Sequence, residues 1–351
     1  MFKRSTIILL SFMTTALPAV VLAAPNEAVM SVYWNRPDLQ AAFDPYSFRS
    51  VPNSPAGYLI DLEDWAYQYG WREYPELSAY APPSTPPTLA PRAAVEPSTT
   101  ASSYIVIDRT SGQVLAARNA NTSWPIASLT KLVTSEIVLD AQLSLSGVYP
   151  VSSRDDVGGA KLYVNDGDTF TLDGLMYATL IASANNAANA ISHTTGLSKT
   201  DFVAEMNRRA IDLNLYKTKF VDPTGIETGN VSTAREFSRL ANQVFSRKDI
   251  RRYTTTPTAE IAVLSQGTTK RLTSTDWMLW KPEYDDIYVM AGKTGYLEES
   301  GWNFAVCLRP TLDEIGRELL IVEFGSASRA DSFVDARALA DWAWDNYQWP
   351  R

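Results

Sequence analysis

Strand-like segments stand at both ends of the region that begins near Ser103, and helix-like segments fill the middle. Two short apolar runs, residues 104–107 and 114–117, flank a turn that contains glycine and predict a β-hairpin. Early and late strands with helices between them predict an antiparallel sheet closed by the two ends of the region. The late β-rich runs cover residues 288–291, 304–308 and 319–324.

The middle of this region has the spacing of amphipathic helices. From about residue 143 to residue 284 the pattern is mainly helical, and residues 171–191 are apolar and rich in alanine. Ser198 and Thr233 each precede an acidic residue by three positions, which is typical of helix N-termini. A last helix is predicted over residues 332–347. The sequence therefore predicts an α+β fold, an antiparallel sheet with flanking helices and an inserted helical lobe.

Ser128 opens a segment with apolar residues at helical spacing, and Lys131 follows it one turn later. Residues three apart lie on the same side of a helix, so the amine is within reach of the hydroxyl. A serine hydroxyl is a weak nucleophile until a neighbouring base accepts its proton. Burial and a second cation both lower the pKa of a lysine, which makes a neutral amine available as that base. The pair is a candidate nucleophile and base.

Two further motifs lie at positions in the sequence that would line a cleft between the predicted sheet and the helical lobe. Ser183 and Asn185 interrupt the alanine-rich segment, and they bring a hydroxyl that can relay a proton and an amide that can hold a peptide bond. By itself Ser-x-Asn is weak evidence, because it is common in turns and caps. Lys293-Thr294-Gly295 is predicted to end the first late strand. Its lysine offers a cation for a carboxylate, its threonine a hydroxyl, and its glycine lets a substrate approach the backbone.

Ser-x-x-Lys, Ser-x-Asn and Lys-Thr-Gly in this order are typical of penicillin-binding proteins and class A β-lactamases. The chain resembles the low-molecular-mass penicillin-binding proteins, the serine D-alanyl-D-alanine carboxypeptidase and endopeptidase family. The resemblance extends from about residue 103 to residue 347 and implies the β-lactamase/DD-peptidase (transpeptidase-like) fold. Its further matching stretches are residues 108–115, 127–132, 220–225, 232–235 and 293–296.

The resemblance implies a role for each residue of the first two motifs. Ser128 would attack the carbonyl of the penultimate D-alanine of a peptidoglycan stem peptide and form an acyl-enzyme. Lys131 would be the general base. Ser183 would pass a proton toward the leaving amine, and Asn185 would hold the substrate backbone.

The resemblance also assigns the third motif to substrate binding. Lys293 would support the proton path through Ser183 and attract negative charge, and Thr294 would bind the terminal carboxylate. Gly295 would leave room for the substrate. The backbone N–H groups of Ser128 and Tyr296 would form an oxyanion hole. β-Lactams would act as inhibitors by acylating Ser128.

Two positions depart from the family pattern. Asn186 stands where several relatives carry an acidic or basic residue, and residues 273–275 replace a stretch that is often rich in asparagine. We therefore expect the edge of the site to differ.

Two alternatives stay open. A class A-like β-lactamase would deacylate with a glutamate in a Glu-x-x-Leu-Asn element, but the nearest match is Leu213-Asn214, with Ala210 at the glutamate position. A non-catalytic wall-binding protein would keep the cleft without the chemistry, and the three intact motifs argue against it. Carboxypeptidase and endopeptidase activities use the same acyl-enzyme. The end of the chain directly after the last helix leads us to expect the endopeptidase-like or compact branch of the family.

The N-terminal third has a different composition. Two basic residues precede an apolar run, residues 7–22, and small residues follow, so residues 1–23 are predicted to be a cleaved signal peptide rather than a retained anchor. Residues 24–80 form an extension of unknown role. Residues 81–102 are rich in Pro, Ser and Thr and predict a linker, which leaves residues 103–351 as the catalytic domain. The protein is expected to be exported, in the periplasm or cell envelope.

Composition excludes several other functions. The net charge of −8 argues against nucleic acid as a partner. His193 and Cys307 are the sole histidine and cysteine, so a Cys/His zinc site is nearly excluded and no metal or other cofactor is predicted. Both residues are interpreted as structural. Trp342, Trp344 and Trp349 suggest a membrane-surface anchor or a packed helix, and the neighbouring aspartates favour the packed helix. Membrane association stays open.

Overall fold

A computed structural model of the protein describes residues 86–350. The predicted signal peptide (residues 1–23), the extension (residues 24–80) and the first part of the linker lie outside the described residues. The strands are β1 (Thr88–Leu89), β2 (Ser103–Asp108), β3 (Val114–Arg118), β4 (Trp124–Pro125), β5 (Val148–Val151), β6 (Asp168–Thr171), β7 (Val231–Ser232), β8 (Thr258–Val263), β9 (Thr268–Thr273), β10 (Tyr288–Leu297), β11 (Gly301–Arg309), β12 (Leu319–Ser326) and β13 (Tyr347–Gln348). The α-helices are α1 (Lys131–Asp140), α2 (Leu172–Leu180), α3 (Asn185–Thr194), α4 (Lys199–Asp212), α5 (Ala234–Ser246), α6 (Lys248–Thr254) and α7 (Arg329–Asn346).

The main sheet has five antiparallel strands in the order β10, β11, β12, β2, β3. Its closure depends on the pairing of an early strand with a late one, since β2 lies beside β12 with Val106 opposite Ile321. The predicted hairpin is present as β2 and β3, with Tyr104 opposite Arg118. The expectation of an antiparallel sheet closed by both ends of the domain is therefore confirmed.

The two faces of the sheet carry separate hydrophobic cores. Successive side chains of a strand point to opposite faces, and Ile105 accordingly packs toward the helical lobe while Val106 packs toward α7. Helix α5 places Phe237 against Phe324 of β12, with ring centroids 6.1 Å apart. On the other face Phe333 of α7 meets the strands. The sheet is thus the middle layer, and β10 is the edge strand nearest the inserted lobe.

Side-chain caps fix the helix starts in the lobe. Thr171 accepts a hydrogen bond from the Gly174 backbone N–H at the start of α2, and Ser198 and Thr233 cap α4 and α5 in the same way, as their sequence patterns predict. The alanine-rich segment breaks between α2 and α3, where Ser183 has a backbone φ of 58°. This break is where the sequence placed the Ser-x-Asn motif.

Three boundaries differ from the sequence prediction. The hairpin formed by β8 and β9 lies inside the region that was predicted to be mainly helical. Its inward residues are spaced two apart among polar ones, which gave too short an apolar signal. Lys293-Thr294-Gly295 lies within β10 rather than at its end, because β10 continues to Leu297. The last helix begins at Arg329, where the Ser328 side chain caps it.

The described part of the predicted linker, residues 86–102, lies along α7. Strand β1 pairs with β13, and the Asp335 carboxylate accepts hydrogen bonds from the Thr100 and Ala101 backbone N–H groups at 2.9 and 3.1 Å. The Ala94 carbonyl accepts a hydrogen bond from the Trp342 indole at 2.9 Å. These contacts attach the segment to α7 and β13 before β2 begins.

The C-terminal tryptophans pack against the domain. The Trp344 indole donates to the Arg317 carbonyl at 3.0 Å, and the Trp349 indole donates to the Asp108 carboxylate at 2.9 Å. Cys307 is buried in β11, as expected for a core residue. Within residues 86–350, none of the helices combines the length and the apolar character that a membrane crossing requires.

Replacement of Phe324 by alanine tests the core between the sheet and α5. The ring is fully buried against Phe237, so we expect Phe324→Ala to lower the free energy of unfolding by about 3–5 kcal/mol. Urea unfolding followed by circular dichroism measures the change. The control is Val334→Ala on α7, whose side chain is 56% exposed and whose loss should change stability by less than about 0.5 kcal/mol. Equal effects of the two substitutions would contradict this packing.

Candidate active site

Ser128 lies in a 3₁₀ helix, Ala127–Thr130, that leads directly into α1. In a 3₁₀ helix residues three apart are eclipsed, so Ser128 and Lys131 come to the same side. Lys131 Nζ lies 2.7 Å from Ser128 Oγ. The hydroxyl is partly exposed, whereas the lysine is fully buried. The predicted contact is present, although the first turn is 3₁₀ rather than α-helical.

The other partners of Lys131 favour a neutral amine. Nζ donates to Asn185 Oδ1 at 2.7 Å and to the Thr224 carbonyl at 2.6 Å. A neutral amine has two hydrogens for these acceptors and one lone pair, which is left for the Ser128 hydroxyl proton. Burial holds the pKa of Lys131 well below its ordinary value, and the charge of Lys293 lowers it further, against the opposing effect of Asp222.

Asp222 organises the loop that supplies the Thr224 carbonyl. Its Oδ1 accepts from the Thr224 backbone N–H at 2.6 Å, from the Thr224 hydroxyl at 2.6 Å and from the Gly225 N–H at 2.9 Å. Its Oδ2 accepts from the Glu227 N–H at 3.0 Å and from the Asn230 amide. Burial alone would raise the pKa of Asp222, but these hydrogen bonds outweigh burial and lower it. The family signature at residues 220–225 indicated this stretch but not this task.

Gly225 allows the loop to lie against the nucleophile turn. Its φ is +82°, and a Cβ built there would be 1.9 Å from the Ala127 carbonyl oxygen and 2.9 Å from Thr130 Oγ1. Ala127 itself has a φ of 50°. The backbone on both sides of Ser128 is therefore set by this close approach.

Ser183 and Lys293 form the second pair of the site. Lys293 Nζ lies 2.9 Å from Ser183 Oγ, and it also donates to the Thr294 carbonyl at 2.7 Å. Burial lowers the pKa of Lys293 to about 7; Asp276 opposes this and Arg329 adds to it. The hydroxyl that can relay a proton is thus held by a buried amine.

Asn185 links Lys131 to the backbone at Gly158. Its Oδ1 accepts from Lys131, and its Nδ2 donates to the Gly158 carbonyl at 2.8 Å. One N–H of the amide is left for another acceptor. The neighbouring Asn186 faces away and pairs with the backbone of Leu162, both bonds being 2.8 Å. It borders a cavity of about 550 Å³ whose lining includes none of Ser128, Lys131, Ser183, Asn185 and Lys293.

The rest of the third motif lies along β10. Gly295 passes close to the nucleophile, since a Cβ there would be 3.2 Å from the Ser128 backbone nitrogen. Thr294 Oγ1 lies 2.7 Å from Thr275 Oγ1, and Tyr296 is half exposed with its ring 4.4 Å from that of Trp302. Hydrogen bonds thus place the predicted residues in two groups, Ser128 with Lys131 and Asn185, and Ser183 with Lys293, and Gly295 adjoins Ser128. The side chains of Thr294 and Tyr296 instead have partners outside the predicted set.

Other residues considered from the sequence lie outside this site. Ala210, at the position of the β-lactamase glutamate, is buried in the core side of α4. His193 is mostly exposed, with Nδ1 3.2 Å from an Asp155 oxygen. Among residues 86–350, histidine, cysteine and acidic side chains form no cluster suited to a metal ion.

The chain is similar to known proteins in both its sequence and its fold. The model of the family described as D-alanyl-D-alanine carboxypeptidase (peptidase S11) matches residues 90–310. The D-alanyl-D-alanine endopeptidase of Pseudomonas aeruginosa is 30% identical over 243 residues, which cover 68% of this chain and 76% of that protein. The D-alanyl-D-alanine endopeptidase of Escherichia coli K12 is 26% identical over 75% of this chain and 83% of its own length.

Solved structures give the same fold. The D-alanyl-D-alanine carboxypeptidase of Mycobacterium tuberculosis superimposes with a TM-score of 0.65 at 25% identity and covers 74% of this chain and 96% of that chain. Penicillin-binding protein D2 of Listeria monocytogenes, in its cefotaxime-bound form, has a TM-score of 0.62 at 26% identity and covers 72% and 100%.

Substitution of Gly225 by alanine tests the contact between the Asp222 loop and the nucleophile turn. We expect Gly225→Ala to cost about 1–2 kcal/mol for its positive φ and a further 1–3 kcal/mol or so for the collision with Ala127. The control is Gly196→Ala, since Gly196 has a φ of +75° and open space around it and only the first penalty applies. Urea unfolding of both variants separates the two penalties. Equal losses would show that the loop does not press on the nucleophile turn.

Proposed function

The chain belongs to the D-alanyl-D-alanine carboxypeptidase family, and we propose that Ser128 is the nucleophile with which it cleaves D-alanyl bonds of peptidoglycan. Membership makes it a serine-type D-alanyl-D-alanine peptidase. The observation that carries the assignment of Ser128 is the position of the buried Lys131 amine, 2.7 Å from the hydroxyl and bonded to two pure acceptors. That amine is arranged to accept the serine proton.

Acylation then uses the groups already in contact. Lys131 accepts the proton of Ser128 as Oγ bonds to the carbonyl carbon of the penultimate D-alanine. The C–N bond breaks as Ser183 passes its proton to the leaving amine and takes up the proton that Lys131 received from Ser128, so that both groups return to their starting protonation states. Lys293 donates to Ser183 Oγ, so the hydroxyl hydrogen of Ser183 is free for this transfer. Water later attacks the ester carbon: Lys131 accepts a proton from the water, and the same amine protonates Ser128 Oγ as the C–O bond breaks.

Binding of the substrate uses the edge of β10 and the amide of Asn185. The remaining N–H of Asn185 donates to a substrate carbonyl, and the backbone N–H groups of Ser128 and Tyr296 stabilise the oxyanion. The close passage of Gly295 beside the Ser128 nitrogen supports this placement. Thr294 and the positive charge of Lys293 bind the terminal carboxylate. Loss of one oxyanion donor typically lowers the rate by about 10²–10³.

We further propose that the natural substrate is a D-alanyl cross-link, which makes the chain an endopeptidase. The support is its similarity to the endopeptidases of P. aeruginosa and E. coli over most of their lengths. Such a substrate requires that the protein be exported to the periplasm or cell envelope, in agreement with the signal peptide expected at residues 1–23.

The alternatives are less well supported. Deacylation in a class A β-lactamase requires a carboxylate that this chain replaces with the buried Ala210. A non-catalytic wall-binding role would not require the Lys131 amine to be held beside Ser128.

Incubation with penicillin tests the nucleophile. We expect the intact mass of the wild-type protein to increase by one drug molecule, because the ester on Ser128 hydrolyses slowly. Ser128→Ala should gain no adduct, whereas Ser123→Ala, an exposed serine on the preceding turn, should be acylated like the wild type. Rapid drug hydrolysis without an adduct would indicate the β-lactamase alternative, and an adduct that persists in Ser128→Ala would rule out Ser128.

Digestion of purified muropeptides tests the substrate end. We expect cross-linked dimers to be cleaved to monomers with a kcat/KM about tenfold or more above that for terminal D-alanine release from pentapeptide monomers, a ratio that pocket fit can supply. Liquid chromatography with mass spectrometry measures both products. Ser128→Ala provides the blank. A preference for pentapeptides would make the chain a carboxypeptidase instead.

A further inference from the structure

Asp276 is a buried carboxylate that the steps above do not use. Its side chain is 2% exposed. Its Oδ1 accepts a hydrogen bond from the Met278 backbone N–H at 2.9 Å, at the start of the 3₁₀ helix Trp277–Leu279. Its Oδ2 has no hydrogen-bond partner among the described residues. A buried, half-satisfied carboxylate is costly unless its charge has a use.

The backbone of β10 passes directly beside this orphan oxygen. A Cβ built on Gly292 would lie 2.4 Å from Asp276 Oδ2, so the carboxylate fits only because residue 292 is glycine. Successive residues of a strand face opposite sides. The carboxylate therefore lies on one face of β10, and the Lys293 side chain leaves on the other face toward Ser183.

The charged and titratable groups around this pair are few. From α1, Lys131 faces Lys293, and from α7, Arg329 faces both Lys293 and Asp276. Tyr284 also faces Asp276. Burial raises the pKa of Asp276 to about 7, and the charges of Lys293 and Arg329 oppose that rise. Among the described residues, Asp276 is an acidic group whose charge acts on both Lys293 and Arg329.

We propose that Asp276 is a positioning residue of the reaction, whose charge behind β10 keeps Lys293 protonated and hydrogen-bonded to Ser183. A protonated Lys293 attracts the substrate carboxylate and leaves the Ser183 hydroxyl hydrogen free for the leaving amine. Without Asp276, the charge that acts on Lys293 from the neighbouring described residues is that of Arg329, and repulsion favours loss of the Lys293 proton. This inference rests on the proposed function of Ser128 and Ser183.

The pH dependence of acylation separates this role from a structural one. The second-order rate constant for acylation by penicillin is measured from pH 5 to pH 10 for the wild type, Asp276→Asn and Asp285→Asn. Its alkaline limb reports loss of the Lys293 proton in the free enzyme. We expect Asp276→Asn to move that limb about one pH unit lower, which is a rate about tenfold lower on the alkaline side, with little change at acid pH. Asp285→Asn removes an exposed carboxylate from a nearby loop and should leave the profile unchanged.

Other outcomes contradict specific claims. A wild-type protein that is not acylated would refute the proposed function itself. A wild type that is acylated, with an unshifted profile or a uniform loss at every pH in Asp276→Asn, would refute the role of Asp276 alone. Gly292→Ala is the second variant, because its methyl group displaces the Asp276 oxygen while keeping the charge. It should shift the alkaline limb in the same direction by a smaller amount, and thermal unfolding shows whether each variant is folded.

Discussion

The arrangement of the site depends on two buried lysine amines, those of Lys131 and Lys293. A buried ammonium group without partners is unfavourable by several kcal/mol, so each amine needs fixed acceptors or must lose its proton. The structure supplies acceptors to both amines: amide and carbonyl oxygens for Lys131, and the Ser183 hydroxyl and the Thr294 carbonyl for Lys293. Burial lowers both pKa values. These acceptors come from elements that are distant in the sequence. Helix α3 supplies Asn185 and the Asp222 loop supplies the Thr224 carbonyl to Lys131. The break before α3 supplies Ser183 to Lys293.

The acceptors are held in place by unusual backbone. Ala127 and Ser183 have positive φ values of 50° and 58°, each next to a residue of the site, and such conformations persist only where the surroundings determine them. Gly225 has a φ of +82° and lies against the Ala127 carbonyl. The strain next to Ser128 is therefore balanced by a loop that is itself tied together by the Asp222 carboxylate. The same contacts that orient Lys131 also hold the nucleophile turn in place.

The sequence predicts the parts of this arrangement whose signals are local. The β2–β3 hairpin, the caps at Ser198 and Thr233, and the order of the three motifs follow from spacing and turn chemistry. The β8–β9 hairpin was missed because its buried residues, such as Ile261 and Val263, stand singly among polar ones. The sequence also does not predict the roles of Thr224 and Asp276. Thr224 acts on Lys131 through its backbone carbonyl, and Asp276 is proposed to act on Lys293 across the backbone of β10. Neither kind of interaction leaves a residue pattern in the sequence.

The distribution of charge in the site follows from the position of β10 at the edge of the sheet. An edge strand has one side free for a substrate, and here the Ser128 turn lies close to its Gly295. Lys293 leaves this strand on the lobe face, while Thr294 and the Gly292 position face the layer that holds α7. The strand thus separates a proton-transfer layer, which contains Ser128, Lys131 and Ser183, from a charge-balancing layer that contains Asp276 and Arg329. Because Lys131, Lys293 and Asp276 are buried, a charge in one layer acts on the pKa values in the other more strongly than it would across bulk water. Changes at Asp276 and Arg329 can therefore tune the acyl-transfer chemistry without altering any residue assigned to substrate contact.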